Sequence, residues 1–100
     1  MKVLANLQLI PMGTGISVSE YIAECERILA DAGLQYELHA NGTNIEGEWD
    51  AVFTAVRQCH ERVHGMGAPR IQTLLSIGTR TDRDQSLVDK VEAVNRRLGD

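Results

Sequence analysis

Residues 35–48 read Gln35-Tyr36-Glu37-Leu38-His39-Ala40-Asn41-Gly42-Thr43-Asn44-Ile45-Glu46-Gly47-Glu48. Tyr36, Leu38 and Ala40 alternate with Gln35, Glu37 and His39, and Asn41-Gly42 supplies the strong turn signal of a tight hairpin. Two antiparallel strands are expected, the second over Thr43 to Glu48. Upstream, Val18, Tyr21, Ile22, Cys25, Ile28, Leu29 and Ala32 recur at three- and four-residue intervals, the stripe of a helix that Gly33 ends. Ser17-Val18-Ser19-Glu20 has the form of a capping box, which places the helix start at Val18 and leaves Glu20, Glu24, Glu26 and Asp31 on the wet side. Before it, Val3, Ala5, Leu7 and Leu9 share one face of a strand over residues 3–10, with Asn6 and Gln8 on the other.

Downstream the pattern repeats. Trp49, Val52, Phe53, Val56, Cys59, Val63 and Met66 mark a second helix from about Trp49 to His64, closed by Gly65 and Gly67. Arg70 to Thr79 reads as the fourth strand, with Ile71, Thr73, Leu75 and Ile77 on one face. A third helix follows the charged turn Arg80 to Asp84, along a narrow Leu87, Val91, Val94, Leu98 seam. The order strand, helix, strand, strand, helix, strand makes the chain α+β: a ferredoxin-like βαββαβ sandwich with an additional C-terminal helix, in a single domain over residues 1–100. Both main helices then cover one sheet face. The other shows Asn6, Gln8, Gln35, Glu37, His39, Asn44, Glu46 and Gln72, interrupted by Leu4, Ile10 and Leu74. That mixed face, with the narrow seam of the third helix, points to a second subunit or a ligand.

The 100 residues carry ten basic and fourteen acidic side chains, a net charge of −4. That is the wrong sign for broad attraction to nucleic acid or an anionic membrane. Residues 1–50 hold eight acids and two bases, residues 51–100 six acids and eight bases, so a cation site draws on the first half. No segment approaches the roughly 20 apolar residues of a bilayer span. Two widely separated cysteines and an N-terminus without a basic-then-apolar pattern favour a reducing cytoplasm.

Several motifs suggest chemistry and fail on their particulars. His60-Glu61-Arg62-Val63-His64 is a literal H-E-x-x-H, yet no histidine follows to complete a catalytic zinc site, and the helix ends at once; a surface pair is expected, with no metal. Gly13-Thr14-Gly15 lacks a third glycine and a parallel continuation, so a tight turn is the reading. Cys25 and Cys59 fall on dry helical stripes, where a thiol packs as a small hydrophobe. No Ser/His/Asp set or nucleophile elbow can be assembled, so no catalytic residue and no cofactor are expected. By contrast, Asn44, Glu46 and Glu48 point to one side of their strand and Thr43 and Ile45 to the other; with Glu37 on the neighbouring strand they form a negative, hydrogen-bonding surface. Pairing of those carboxylates with Arg70 or Arg80 of another strand or subunit is the plainer alternative.

The order of motifs Pro11-Met12-Gly13-Thr14, Ser19, Tyr21, Gly42-Thr43-Asn44-Ile45-Glu46-Gly47-Glu48, Arg70, Arg80-x-Asp82 and Lys90-Val91 resembles the small thiamine-binding protein family over nearly the whole sequence. The T-x-I-E-G-E stretch is its most specific part. The resemblance implies a ferredoxin-like fold, dimers or tetramers formed through the sheets, and binding of thiamine or its hydroxymethylpyrimidine portion without catalysis. It places Thr43, Asn44 and Glu46 in the site, lined by Thr14, Ser19 and Tyr21; Asn44 departs from the small or hydroxylated residue the family more often has there.

The chemistry agrees with that implication. A cationic thiazolium suits Glu46 or Glu37, the aminopyrimidine suits the directional hydrogen bonds of Thr43 and Asn44, and Tyr21 or Tyr36 offers a flat wall. With only two lysines, Lys2 and Lys90, the free vitamin is favoured over its diphosphate. The rival from another class is a self-assembling interaction module without a small-molecule ligand, in which Glu46→Ala would weaken assembly and not binding. An acylphosphatase-like enzyme would want an arginine between residues 11 and 17, where there is none.

Overall fold

The computed structural model describes residues 1–15 and 17–99. Along the sequence run β1 (Lys2–Met12), α1 (Ser19–Asp31), β2 (Gln35–His39), β3 (Gly42–Glu48), α2 (Trp49–Gly65), β4 (Arg70–Gly78) and α3 (Leu87–Gly99). The strands form one antiparallel sheet in the order β2-β3-β1-β4. This is the βαββαβ sandwich with its extra helix.

Alternation along β1 decides which face is dry. Val3, Ala5, Leu7 and Leu9 are buried beneath the helices, while Lys2, Leu4, Asn6 and Gln8 between them face the open side. Val3, Ala5 and Leu7 join Ile45, Leu29, Val52, Ala55 and Val56 in one core cluster. Leu9, Cys25, Cys59, Val63 and Ala68 form a second at the far end of the sheet. Both thiols are buried, and the Cys59 Sγ–H donates to the carbonyl of Cys25 at 3.8 Å.

Three local features differ from the sequence reading. The hairpin loop is Ala40-Asn41, because His39 pairs with Gly42, and neither loop residue has positive φ. Gly42 is needed for space: a Cβ there would lie 2.8 Å from both Asn6 Oδ1 and the carbonyl oxygen of Leu7. Second, α1 starts at Ser19 with no side-chain cap, and Ser17 Oγ lies 3.3 Å from Ser19 Oγ. Third, the reciprocal cap is made at α3, where Asp89 N–H donates to Ser86 Oγ and Ser86 N–H to Asp89 Oδ2, both at 3.0 Å.

The third helix stands away from the domain. It has no buried side chain, and Val88, Val91, Val94 and Leu98 are 56–79% exposed. Its root is fastened to the open sheet face: Leu87 N–H donates to Glu46 Oε1 at 2.8 Å, and Lys2 Nζ lies 2.9 Å from Asp84 and 3.5 Å from Glu46. The radius of gyration is 14.9 Å, with extents of 48 × 29 × 20 Å, against about 13 Å expected for a compact protein of 100 residues.

Candidate functional site

Strand register creates the principal cleft. β1 pairs with β3 only as far as Leu7↔Thr43, but with β4 as far as Met12↔Arg70. From Gln8 onward β1 therefore runs on without a partner strand on its β3 side, leaving a notch beside the hairpin tip. The first half of α1 roofs it. The resulting cleft of about 680 Å³ is bounded by Gln8, Leu9 and Ile10 of β1, by Leu38 to Thr43 of the hairpin, and by Ser17, Val18 and the Ser19, Ile22, Ala23, Glu26 side of α1. That volume lies within the roughly 300–1,000 Å³ typical of a metabolite site.

Its polar groups are few and placed. Thr43, only 4% exposed, points from β3 toward the helices and donates its hydroxyl to both Glu26 oxygens at 3.2 and 3.1 Å. Burial pushes the Glu26 carboxyl above its ordinary value, and the Thr43 hydroxyl works in the opposite direction. At the rim, Asn41 N–H donates to His39 Nδ1 at 3.4 Å, which leaves Nε2 carrying the proton toward Asn6 Oδ1 at 3.1 Å. Aliphatic surface from Val18, Ile22 and Leu38 forms the walls. Cys25 also touches the cleft; its hydrogen bond with Cys59, together with burial, pushes its thiol up and away from the thiolate.

The residues expected in the site divide among several places. Thr43 and Ser19 line the cleft. Glu37, Asn44 and Glu46 lie on the opposite sheet face, where Glu37 pairs across from Asn44 and Gln35 from Glu46. Glu46 meets Lys2 and the Leu87 N–H, and Glu48 binds the N-terminal ammonium at 2.8 Å, so neither pairs with Arg70 or Arg80 of its own chain. Tyr21 packs on the second core cluster, and Tyr36 lies outside the cleft. Thr14 sits in the loop after β1, its hydroxyl buried without a partner among the described residues.

Glu26 is the group that the sequence reading put on the wet side of α1. It follows Ile22 by four positions and precedes Leu29 by three, which turns it inward along the flank of the stripe. The two histidines of the H-E-x-x-H run have local partners: His60 Nε2 is 2.6 Å from Thr73 Oγ1, and His64 Nδ1 is 2.8 Å from the carbonyl of Ala68. Burial holds His60 below its ordinary value. Among the described residues no group of three or more His, Cys, Asp or Glu side chains is placed to hold a metal ion, and no helix is long and apolar enough to cross a membrane.

Residues 5–95 match the model of the family described as thiamine-binding protein. The chain belongs to the thiamine-binding protein family. A UPF0045 protein of Synechocystis is 53% identical over 98 residues, covering 98% of this chain and 81% of the relative. Another from Eremothecium gossypii is 39% identical over 101 residues, covering 100% and 96%. Among solved structures, a hypothetical protein of Methanocaldococcus jannaschii superposes with a TM-score of 0.88 at 31% identity, over 94% of this chain and 96% of that one. A Thermotoga maritima protein assigned provisionally to thiamine biosynthesis or salvage has a TM-score of 0.80 at 20% identity, covering 94% and 99%, a likeness of fold. Family membership gives the protein a thiamine-related role and a small-molecule ligand.

Proposed function

We propose that this protein binds thiamine or its hydroxymethylpyrimidine portion, without catalysis, in the cleft beneath α1. The observation that carries the reading is the Glu26 carboxylate, held by Thr43 inside a cleft of vitamin size. An aminopyrimidine presents a ring nitrogen that pairs with a carboxyl group, and an adjacent nitrogen and exocyclic amine that complement backbone amide and carbonyl groups. Glu26 offers the first and the unpartnered edge of β1 the second. Val18, Ile22 and Leu38 supply the apolar walls in place of the tyrosine expected from sequence. The assignment of no chemistry is supported by Cys25, whose side chain is buried against Cys59, and by His39, whose two ring nitrogens are already engaged.

The same reading includes a homodimer or homotetramer, supported by the exposed seam of α3 and the uncovered open sheet face. It also places the protein in the reducing cytoplasm, supported by the low cysteine count and the burial of Cys25 and Cys59 in the core, where each packs as a small hydrophobe.

Calorimetry with thiamine, hydroxymethylpyrimidine and thiamine diphosphate tests the proposal. Both unphosphorylated ligands should bind, and thiamine should tighten as pH rises through the elevated pKa of Glu26, because a cation favours the ionised carboxylate. Glu26→Gln should weaken thiamine at least about tenfold, or 1.4 kcal/mol. Silence from all three ligands, with assembly intact, would leave the interaction-module reading in its place.

A further inference from the structure

A second cavity, of about 160 Å³, lies at the other end of β1, bounded by Lys2, Thr79, Arg80, Arg83, Asp84, Gln85 and Lys90, with Leu4 and Gly78. Lys2 and Gln8 are six residues apart on one strand, about 20 Å, so this cavity and the vitamin cleft are separate sites. It gathers both lysines of the protein and four of its ten basic residues around a single lining acid, in a molecule whose net charge is −4. It also absorbs the Arg80-x-Asp82 and Lys90 motifs, which the cleft leaves unexplained.

The nearby charges are already apportioned, and that apportionment identifies the free groups. Asp82 is forked by Arg80 at 2.6 and 2.5 Å, which holds its carboxyl down at about 2, and Arg80 Nη1 also donates to Gln85 Oε1 at 3.0 Å. Asp84 is taken by Lys2, Glu46 by Lys2 and Leu87 N–H, and Asp89 by the Ser86 cap. Arg83 feels Asp82 and Asp89 through space, but among the described residues neither Arg83 nor Lys90 makes an ion pair. Gln85, with its oxygen engaged by Arg80, has its amide N–H groups left to donate, and Thr79 adds a hydroxyl. The cavity is too small for a vitamin-sized ligand, against roughly 300–1,000 Å³ for a metabolite site. What remains is a compact donor-rich space with uncommitted positive charge, the chemistry that recognises a small oxyanion.

We infer that this cavity binds a phosphate group, as free inorganic phosphate or as the terminal phosphate of a small phosphorylated molecule, held by Arg83 and Lys90 with Lys2 and Arg80 as fixed flanking charges.

The test titrates the full-length protein with inorganic phosphate and, separately, with methyl phosphate, at ionic strength held constant with chloride, and follows amide NMR shifts. Saturable shifts confined to residues 2–4 and 78–90 are expected, and Arg83→Ala and Lys90→Ala should each weaken binding at least about tenfold. Arg83 lies outside every helix and strand, so its variant keeps the test valid if Lys90→Ala loosens α3. Binding of inorganic phosphate alone identifies the free ion; equal binding of methyl phosphate identifies a phosphorylated small molecule. Shifts that grow linearly without saturating, or unchanged affinity in both variants, would overturn the site.

Discussion

Replacing Thr43 with valine keeps the shape of a buried β-branched residue while deleting the hydroxyl that donates to both oxygens of Glu26. A hydrogen bond to a charged group contributes about 1.5–3 kcal/mol. The O···O distances of 3.2 and 3.1 Å are long, and water reaches part of the Glu26 carboxylate, so the lower figure of about 1.5 kcal/mol is an upper expectation here. Losing that donor removes the one contact that favours the ionised form, so the Glu26 carboxyl moves further up. In the wild type this carboxyl already sits above its ordinary value of 4.5. The folded state therefore binds more protons than the unfolded state between the two values, and stability falls as pH rises through that interval. Thr43→Val extends the interval upward. Its penalty should be full at about pH 7.5, where Glu26 is ionised, and should shrink to a pH-independent packing residue at about pH 4. Urea unfolding at the two pH values, with a ¹³C NMR titration of the Glu26 carboxyl, measures both quantities. An identical stability loss at the two pH values, or an unmoved Glu26 titration, would refute the claim that Thr43 holds the ionised carboxylate.

Gly42→Ala should destabilise the fold by about 1–3 kcal/mol, because the new Cβ meets the backbone carbonyl of Leu7 and the Asn6 amide at 2.8 Å. Gly65→Ala, at the end of α2 with open space around it, should instead gain up to about 0.5–1 kcal/mol; thermal unfolding compares the two. Val94→Asp combined with Leu98→Glu places charge on the exposed α3 seam and should convert an oligomer to monomers in sedimentation velocity while the ligand cleft keeps its affinity. An unchanged sedimentation coefficient would remove α3 from the assembly.

The architecture was readable because hydrophobic period holds through the elements that build the core: period two in Val3, Ala5, Leu7 and Leu9, and period three to four in Cys25, Leu29, Val52, Val56 and Val63. Side-chain direction on β3 was equally legible, since alternation sends Thr43 and Asn44 to opposite faces. Long-range register was not. That β1 loses its β3 partner after Leu7 depends on where the hairpin docks, and without that notch nothing distinguishes Glu26 from the exposed acids of α1. Gly42 illustrates the same limit: its identity suggested a turn, whereas its reason is the approach of β1. The capping motif at Ser17 was outcompeted locally, and the one at Ser86 closes with an aspartate, a shorter relative of the expected glutamate.

A thirteen-residue helix without one buried residue has little to hold it together in water, where isolated helices below about 12–15 residues are marginal. The Ser86 cap and the Leu87–Glu46 bond secure only its first turn. In the proposed assembly, coiling of the last two turns and the meeting of subunits become one coupled equilibrium. Dilution would then melt the arm before it disturbs the sandwich, and the far-ultraviolet helical signal would depend on protein concentration at a temperature where the core stays folded.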